Sequence, residues 1–433
     1  MVSFSNEIKD PKISDSGPSS EDIGVAHAHE LKAGDDRYEV FKKGDGQVDF
    51  RTVSWIRASA IFLKMLFATG ILSIPSVMHD LGAFPGAVNL IGWSAINSYG
   101  AIILGDFCNR HPQCHSVADM AQVVGGHVFK EIVGLMFIVT YVITAASGVI
   151  GVSAAFNALS LHAICTVYWS IVSTAVIAMF ASVRKFSHIG WLTWVGFVSV
   201  FAAVFIVVIG VTVRDRPAPA PQTGDFDFGY RVIGNPTFAA GITAAATIFV
   251  SSSATSAFLP VISEMRHPRD YPKAVLVIYR WCGKWIASPA LGSAGETVKR
   301  VSYGVALPGL IISGSLYVHV AAKYLFVRIL RESKHLQTNT VVHWGTWLAC
   351  TVGLAAVSFV LASAIPIFTY VLALVGSLCF APLAISLPGL LWILLGLFMM
   401  VGGTYGVIVQ ILNAYESGKI DKVFSCVDNS SSV

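Results

Sequence analysis

Apolar residues follow one another along most of this chain in runs of about twenty, the length that a helix needs to cross the hydrocarbon core of a bilayer. The runs lie at about 58–78, 84–106, 132–156, 163–181, 189–213, 237–262, 303–327, 344–364, 366–386 and 388–412. Each run predicts a transmembrane helix. A doubtful further run lies at 274–291, where Arg280 and Lys284 stand near the middle of a short apolar segment.

The composition agrees with a chain that lies mostly in a lipid bilayer. Of the 433 residues, 55% are hydrophobic and only 12% are charged, whereas soluble domains carry about 25% charged residues. We therefore predict an all-α membrane protein with 10–11 transmembrane helices. The net charge of +4 is scattered rather than gathered into a basic stripe, so nucleic acid is not an expected partner.

The polar segments divide the chain into three regions. Residues 1–53 predict a disordered cytosolic tail, 54–413 the transmembrane domain and 414–433 a polar C-terminal tail. The first residues lack both the basic start and the apolar run of a cleaved signal peptide. Lys and Arg are concentrated in alternate loops, which places the N-terminus in the cytosol by the positive-inside rule.

The same rule exposes a conflict in the second half of the chain. Arg328, Arg331 and Lys334 reach the cytosol only if the chain crosses the membrane once more between Lys273 and Tyr303. The doubtful run is the only candidate, although each of its two basic residues costs about 2.5–3.5 kcal/mol at a helix centre. With that crossing there are eleven, and the C-terminal tail lies outside.

The first span contains residues that interrupt a helix. In the stretch ATGILSIP, Thr69, Gly70, Ser73 and Pro75 fall within two turns. A broken helix is tolerated in lipid only where protein or a water-filled cavity covers it. The break exposes backbone N–H groups at the positive end of a half-helix, which suits a carboxylate. The pattern predicts a site for the acid end of an amino acid.

The sixth span contains a second group of this kind, in the stretch TIFVSSSATSAFLP. Five hydroxyl residues crowd the centre of this span: Ser251, Ser252, Ser253, Thr255 and Ser256. Hydroxyls compete with helical hydrogen bonds and offer partners for both an ammonium and a carboxylate. Breaks in the first and sixth spans predict an inverted five-plus-five repeat with helices 1 and 6 broken. The alternative is that these small residues serve only helix packing.

Several longer motifs resemble a known family. FATGILSIP, GDFCNRHPQCHSVADMAQVVGG, SEMRHPRDYPKA, ASPALGSAG and YVHVAAKYLFVRILR resemble the fungal neutral amino acid permeases of the amino acid/auxin permease family, within the amino acid-polyamine-organocation superfamily. The resemblance covers nearly all of residues 55–412. It implies an eleven-span transporter with a LeuT-like fold that moves neutral aliphatic and aromatic amino acids inward in symport with protons. It implies that transport needs no cofactor and is driven by the proton gradient. It also implies a location in the plasma membrane, with the vacuolar membrane as the alternative.

The resemblance also assigns residues to the two breaks. The first break falls on Thr69, Gly70, Ile71 and Leu72, which are expected to meet the substrate carboxylate. The second falls on Phe249, Val250, Ser251, Ser252 and Ser253, where Phe249 is expected to be a lid or side-chain pocket residue.

The chain departs from similar permeases in two places, near Tyr279 and near Leu394. A full apolar span normally precedes ASPALGSAG, but here VLVIY runs almost directly into RWCGKWIASPALG. Similarly, SLPGLLWI meets LLGLFMMVGG without a hydrophilic loop. We predict that about twenty residues, the length of one span, are absent at each place. The alternative function is a non-transporting amino acid receptor or regulatory relative, or a defective truncated permease that lacks an intact seventh span.

The proton site is open to three candidates, because no Asp or Glu lies inside a confident span. The intramembrane candidates are Lys64, His319 and Lys323. His319 has the most suitable intrinsic pKa. The alternative for His319 is a neutral histidine that is hydrogen-bonded between helices. For Lys64 and Lys323 we expect side chains that snorkel toward the cytosolic interface.

The cysteines suggest neither a disulfide framework nor a metal site. The seven cysteines are odd in number and scattered, and most lie in or beside apolar spans. Cys108, His111, Cys114 and His115 lack the two separated pairs of a structural zinc site, so a loop that caps the following helix is predicted. No carboxylate pair, metal triad or activated nucleophile within the membrane points to an enzyme.

Overall fold

The computed structural model consists of helices joined by loops throughout the part of the chain that it describes. The described residues are 54–66, 73, 80–111, 114, 116–184, 186–213, 223–224, 231–251, 253, 296–331, 333–386, 393–418, 424 and 426. The predicted N-terminal tail and the doubtful run at 274–291 lie outside them. The question of the extra crossing therefore stays a prediction.

Each of the ten apolar runs of membrane-spanning length contains helix, which confirms the all-α membrane architecture. The α-helices are α1 (Trp55–Leu66), α2 (Ala83–Arg110), α3 (Val117–Ser160), α4 (Thr166–Ala181), α5 (Phe186–Thr212), α6 (Phe238–Val250), α7 (Glu296–Leu330), α8 (Val341–Ala364), α9 (Phe368–Val375), α10 (Ile393–Phe398) and α11 (Thr404–Glu416).

α6 ends in the middle of its predicted span, at Val250 within the run 237–262, and Ser251 and Ser253 beyond it are not helical. The described part of α1 reaches Leu66, and residues 67–72 of the predicted first break lie outside the described residues. The start of α6 is defined by Thr237, whose hydroxyl accepts a hydrogen bond from the N–H of Ala240. The described end of α6 thus lies where the second break is predicted.

α3 begins much earlier than the apolar run at 132–156. Ser116 and Asp119 form a reciprocal capping box that starts a helix at Val117. Gly126 then interrupts the helical path with a φ of 74°, a conformation that glycine adopts without steric cost. The result is a short N-terminal segment that joins the membrane-spanning part of α3 at a kink.

α3 and α7 are the most deeply buried long helices of the described bundle. They approach each other closely at Gly148 and Gly314, where a Cβ on Gly148 would lie 2.7 Å from the Cα of Gly314. α5 packs along another face of α7. There the hydroxyl of Ser199 donates to the carbonyl of Val305 at 2.6 Å and accepts from the N–H of Gly309 at 3.1 Å. Ser199 thereby forms hydrogen bonds with backbone groups next to Pro308, which lies inside α7 and has no N–H for the helical hydrogen bonds.

Ion pairs hold the start of α3 against the end of α7. Arg331 lies 2.7 Å and Lys130 lies 3.3 Å from the same carboxylate oxygen of Asp119. Arg328 pairs with Glu131. Arg328 and Arg331, which the positive-inside rule assigns to the cytosol, therefore lie at the same end of the bundle as Lys130.

A different set of contacts joins chain segments at the other end of α3. The backbone N–H groups of Ala83 and Phe84 donate to the carbonyls of Arg231 and Val232 at 3.0 and 2.9 Å, which connects the start of α2 to the loop before α6. Cys165, just beyond α3, forms a disulfide with Cys426. The expectation that no disulfide framework exists is wrong for this pair. Sequence spacing gave no sign of it, because 261 positions separate the two residues.

The long apolar run from Ile365 to Leu412 forms two helical stretches. The first is α9 followed by a π-helical segment, Gly376–Ser386, which contains Pro382. The second is α10, a short π-helical stretch at Met399–Gly403, and α11. The junction at 387–392 lies outside the described residues.

Candidate functional site

The candidate site lies where α6 ends. Phe249 and Ser253 are fully buried, and Val250 and Ser251 are nearly so. Ser252 lies outside the described residues, as do Thr69, Gly70, Ile71 and Leu72 of the first break. The described half of the site is therefore the α6 half.

The hydroxyl protons at the end of α6 are directed back onto the helix. Ser251 donates to the carbonyl of Thr247 at 3.1 Å, and Ser253 donates to the carbonyl of Phe249 at 2.6 Å. A serine hydroxyl has one proton and two acceptor lone pairs. With its proton engaged, each oxygen acts as an acceptor toward a further partner. These two oxygens suit a donor such as an ammonium group better than they suit a carboxylate.

α2 supplies two neighbours to this end of α6. Asn97 donates from Nδ2 to the hydroxyl oxygen of Ser253 at 3.1 Å, and both residues are buried. One turn earlier, the ring of Trp93 meets that of Phe249 edge to face, with centroids 4.9 Å apart. A polar and an aromatic contact thus fix the end of α6 against α2.

A second group of aromatic residues links α3, α7 and the π-helical segment. Tyr141 is fully buried, and its ring centroid lies 5.9 Å from that of Phe380 and 6.4 Å from that of Tyr317. The π-helical segment also approaches α6 closely, since a Cβ on Gly376 would lie 2.7 Å from the carbonyl oxygen of Ala246. π-helical geometry frequently occurs at functional sites. The surroundings of the α6 end are thus apolar and aromatic, with a few uncharged polar groups.

Lys64 lies two residues before the end of α1 and is fully buried. Its ammonium group has no hydrogen-bond partner among the described residues. The side chain passes between two helices, because a methyl group on Gly196 of α5 would lie 3.1 Å from Lys64 Cε and 3.1 Å from Ile312 Cδ1 of α7. The expected snorkelling toward the cytosol is wrong for Lys64, since the neighbouring helices close over it.

His319 and Lys323 lie on α7, one turn apart, and both are buried. The Nδ1 of His319 is 3.0 Å from the carbonyl of Ala181 at the end of α4, and its ring meets that of Trp347 of α8 edge to face. His319 thus lies between α4, α7 and α8, as the interpretation of a histidine hydrogen-bonded between helices requires. The snorkelling expected of Lys323 is wrong as well, because its side chain is only 1% exposed.

The Cys108 to His115 segment leads into the capping box of α3. Cys108 Sγ lies 3.8 Å from the carbonyl of Cys114. Burial and the nearby carboxylate of Asp119 raise the pKa of the Cys114 thiol to about 12, so the thiol stays protonated at neutral pH. His115 lies outside the described residues. No group of three or more His, Cys, Asp or Glu side chains within the described ranges is arranged to hold a metal ion.

Trp93, Asn97 and Tyr141 were not singled out from the sequence. Asn97 offered one signal, since an amide near the middle of an apolar run needs a buried partner. The two aromatic residues offered none, because aromatic residues are common in membrane spans. Only the packing of α2 and α3 brings them to their present neighbours.

Comparison with known proteins identifies relatives over most of the chain. The family model described as "Transmembrane amino acid transporter protein" matches residues 51–282 and 297–398. The match is interrupted between these ranges, where the doubtful run at 274–291 ends.

Two fungal proteins are similar along nearly their whole length. A protein of Gibberella moniliformis named "Transmembrane transporter" is 45% identical over 457 residues, covering 95% of this chain and 96% of the relative. The "N amino acid transport system protein" of Neurospora crassa is 26% identical over 426 residues, covering 88% of this chain and 90% of the relative. The first alignment is longer than the 433-residue chain. It therefore contains positions at which the Gibberella protein has residues and this chain has none.

Among solved structures, the chain is similar to a Na⁺-coupled sialic acid symporter in its substrate-bound, outward-open state. The TM-score is 0.52 at 10% identity, and the match covers 91% of this chain and 97% of the symporter. At this identity the likeness concerns the fold alone. It confirms the predicted LeuT-like inverted-repeat arrangement.

Proposed function

This chain belongs to the transmembrane amino acid transporter protein family, and on that premise we propose that it is a secondary active transporter that takes up neutral amino acids together with protons. The substrate binds near the middle of the bilayer, between the end of α1 and the end of α6. Movement of the repeats around this site gives access alternately from each side. The chain has no enzymatic role in this proposal, and the driving force is the proton gradient.

The observation that carries the proposal is the end of α6 within its span. The hydroxyl protons of Ser251 and Ser253 are donated to backbone carbonyls of α6. The two hydroxyl oxygens can therefore only accept a hydrogen bond from a further partner. An α-ammonium group is such a partner. The carboxylate of the same amino acid is assigned to the first break, at Thr69 to Leu72, where backbone N–H groups suit an anion. The two breaks together would bind a zwitterion.

The preference for neutral amino acids follows from the charges available to a substrate side chain. Among the described residues the only buried carboxylate is Asp119. It lies at the start of α3 and is paired with Arg331 and Lys130. A cationic substrate side chain would thus lack a buried counter-charge in this part of the chain. Phe249 and Trp93 instead offer an apolar, aromatic contact for aliphatic and aromatic side chains.

The coupling proton is assigned to Lys64 in preference to His319 and Lys323. Lys64 lies next to the predicted carboxylate site, five residues before Thr69. His319 contacts α4 and α8 instead. A buried ammonium is costly without a counter-charge. The substrate carboxylate supplies one, so binding of the proton and of the amino acid favour each other. The same ammonium repels Na⁺, which favours proton coupling although a symporter of similar fold is Na⁺-coupled.

Uptake in a permease-deficient fungal strain tests this function. Cells that express the chain should accumulate labelled leucine and phenylalanine but not lysine or glutamate. At constant internal pH, the accumulation ratio should rise by up to about tenfold for each unit by which external pH falls, if one proton enters per substrate. A protonophore should abolish accumulation, and replacing Na⁺ by choline should have no effect. Sodium-dependent accumulation would contradict the proton assignment.

A second candidate function is a receptor that binds amino acids without transporting them. The observation in its favour is that the Gibberella relative has residues that this chain lacks. Saturable binding of leucine to purified protein, combined with no accumulation in cells that display it at the plasma membrane, would establish the receptor. We propose the plasma membrane as the location of the chain. If the protein is found in the vacuolar membrane instead, that location is wrong and uptake is measured in isolated vacuoles.

Replacing Asn97 by alanine should weaken substrate binding. The Ser253 oxygen loses the donor that fixes the end of α6, and removing one partner of a buried hydrogen bond costs about 1–3 kcal/mol. We expect KM for leucine uptake to rise about tenfold. Asn89→Ala is the matched control, because among the described residues the Asn89 amide bonds to the carbonyl of Pro85 within the same helix. Equal KM values for the two variants at equal surface expression would remove Asn97 from the site.

A further inference from the structure

A disulfide joins the start of α4 to the C-terminal tail. Cys165 directly precedes α4, and Cys426 lies ten residues beyond the end of α11. Disulfides persist in oxidising compartments. The loop before Cys165 carries no Lys or Arg, and the basic residues paired with Asp119 and Glu131 lie at the opposite end of α3. Both observations place this bond on the non-cytosolic side.

The tail contacts α8 on its way to α4. The hydroxyl of Tyr415, near the end of α11, donates to the carbonyl of Ala364 at 2.7 Å. The ring of Phe424 lies 6.0 Å from that of Phe359, centroid to centroid. Both partners belong to the second half of α8. The disulfide therefore completes a series of contacts that runs from α11 across the end of α8 to α4.

α4 is firmly attached to α7 and α8. The hydroxyl of Ser315 donates to the carbonyl of Ile177 at 3.2 Å, and the indole N–H of Trp347 donates to the carbonyl of Ser182 at 2.7 Å. His319 adds its contact with the last turn of α4. We call these three helices, α4, α7 and α8, which the contacts above join to one another, the scaffold.

α11 packs instead on α6, the helix that ends at the candidate site. A Cβ on Gly406 would lie 2.4 Å from a methyl carbon of Ile242 and 2.9 Å from the carbonyl oxygen of Ala239. Such close contact means that a displacement of this part of α6 also displaces α11. The disulfide thus connects a helix in contact with the site to the scaffold.

We propose that the Cys165–Cys426 bond is a covalent strap that holds α11 to the scaffold and thereby limits how far α6 moves on the non-cytosolic side. The proposal rests on the proposed function only in assigning that movement to transport. The bond keeps the chain ends of α4 and α11 together while the amino acid site opens and closes. Loss of the strap should loosen α6 before it affects α4.

Reduction of the purified wild-type protein tests the strap without any substitution. Tris(2-carboxyethyl)phosphine is oxidised to its oxide, with oxygen from water, as the S–S bond becomes two thiols. The melting temperature should fall by about 5 °C or more. Amide hydrogen exchange should rise in Phe238–Val250 and in Thr404–Glu416, with less change in Thr166–Ala181. A maleimide-polyethylene glycol reagent should label two additional thiols.

Three variants separate the bond from the individual cysteines. Cys165→Ala, Cys426→Ala and the double variant should lower the melting temperature equally and should not respond to the phosphine, because each removes the same bond. Cys350→Ala is the control, since this buried thiol in α8 is unpaired; it should keep the phosphine response. The strap is ruled out if the double variant lowers the melting temperature by the sum of the two single shifts. It is also ruled out if Cys165 and Cys426 both react with maleimide in unreduced protein.

The pattern of hydrogen exchange shows whether the disulfide restrains the movement of α6 or only stabilises the folded protein. If reduction lowers the melting temperature but leaves hydrogen exchange in α6 and α11 unchanged, the bond does not restrain α6, and the proposal is wrong. These readouts need no transport. If the wild-type protein fails to accumulate amino acids but shows the expected exchange pattern, the proposed function fails and the strap stands.

Discussion

Lys64→Met should abolish concentrative uptake while leaving exchange of amino acids across the membrane intact. Methionine is of similar length and fills the space between Gly196 and Ile312, but its side chain has no group that binds a proton. Without the ammonium, substrate binding is no longer linked to proton binding. The accumulation ratio of leucine under an inward proton gradient should therefore fall to about one, a loss of about tenfold for each pH unit of gradient. Counterflow of labelled leucine against unlabelled leucine should persist.

His319→Gln is the matched comparison for Lys64→Met. Glutamine provides an amide N–H that can replace the contact of Nδ1 with the carbonyl of Ala181. This variant should keep its accumulation ratio and its dependence on external pH. The assignment is reversed if His319→Gln loses accumulation and Lys64→Met retains it. Lys64→Arg provides a further check, because a guanidinium stays charged at every relevant pH; it should lose accumulation as Lys64→Met does.

The positions of the membrane helices were predictable because a run of about twenty consecutive apolar residues matches the thickness of the hydrocarbon core and is typical of a transmembrane helix. The ends were less so. α3 starts at Val117, fifteen residues before the predicted run, because the capping box of Ser116 and Asp119 begins a helix in polar sequence. A hydropathy reading registers only the part within lipid. The S-x-x-D pattern was visible in the sequence and would have extended the prediction.

The interruption at the end of α6 was also predictable, since the five hydroxyl residues within positions 251–256 compete with the helical hydrogen bonds. Its neighbours were not. Asn97 and Ser253 are 156 positions apart, and their contact depends on the packing of α2 against α6. The disulfide between Cys165 and Cys426 has the same origin. Local pattern determines where a helix stops, whereas tertiary packing determines which side chains it meets there.

The buried lysines are a second case in which tertiary packing, rather than local sequence, determines the surroundings of a side chain. A lysine near the end of an apolar run has a long stem that reaches the interface when the surroundings are lipid, which is why snorkelling was expected of Lys64 and Lys323. Both are instead enclosed by protein. For Lys64 the enclosing residues include Gly196, whose small size lets α5 approach. Burial in protein turns an interface anchor into a group whose charge must be balanced, and for Lys64 we propose that the substrate carboxylate balances it.

Gly148→Ala should destabilise the bundle severely through a single methyl group. The added Cβ would lie 2.7 Å from the Cα of Gly314, and a backbone atom cannot rotate away as the end of a side chain can. α3 and α7 must then separate along the face that buries both helices most deeply. Overpacking typically costs about 1–3 kcal/mol, and the rigid contact places this variant at the upper end or beyond. We expect a marked fall in melting temperature and little protein at the cell surface.

Gly353→Ala is the control for Gly148→Ala, because it makes the same chemical change inside a helix. A Cβ on Gly353 of α8 would meet nothing within 4 Å, and alanine favours a helix over glycine by about 1 kcal/mol. This variant should express and melt like the wild type or slightly above it. The experiment thus separates the helix propensity of alanine from the space between α3 and α7. Equal melting temperatures for the two variants would show that these helices do not approach as closely as Gly148 and Gly314 indicate. The enclosure of Tyr141 and Tyr317, which lie on the same two helices, would then need another explanation.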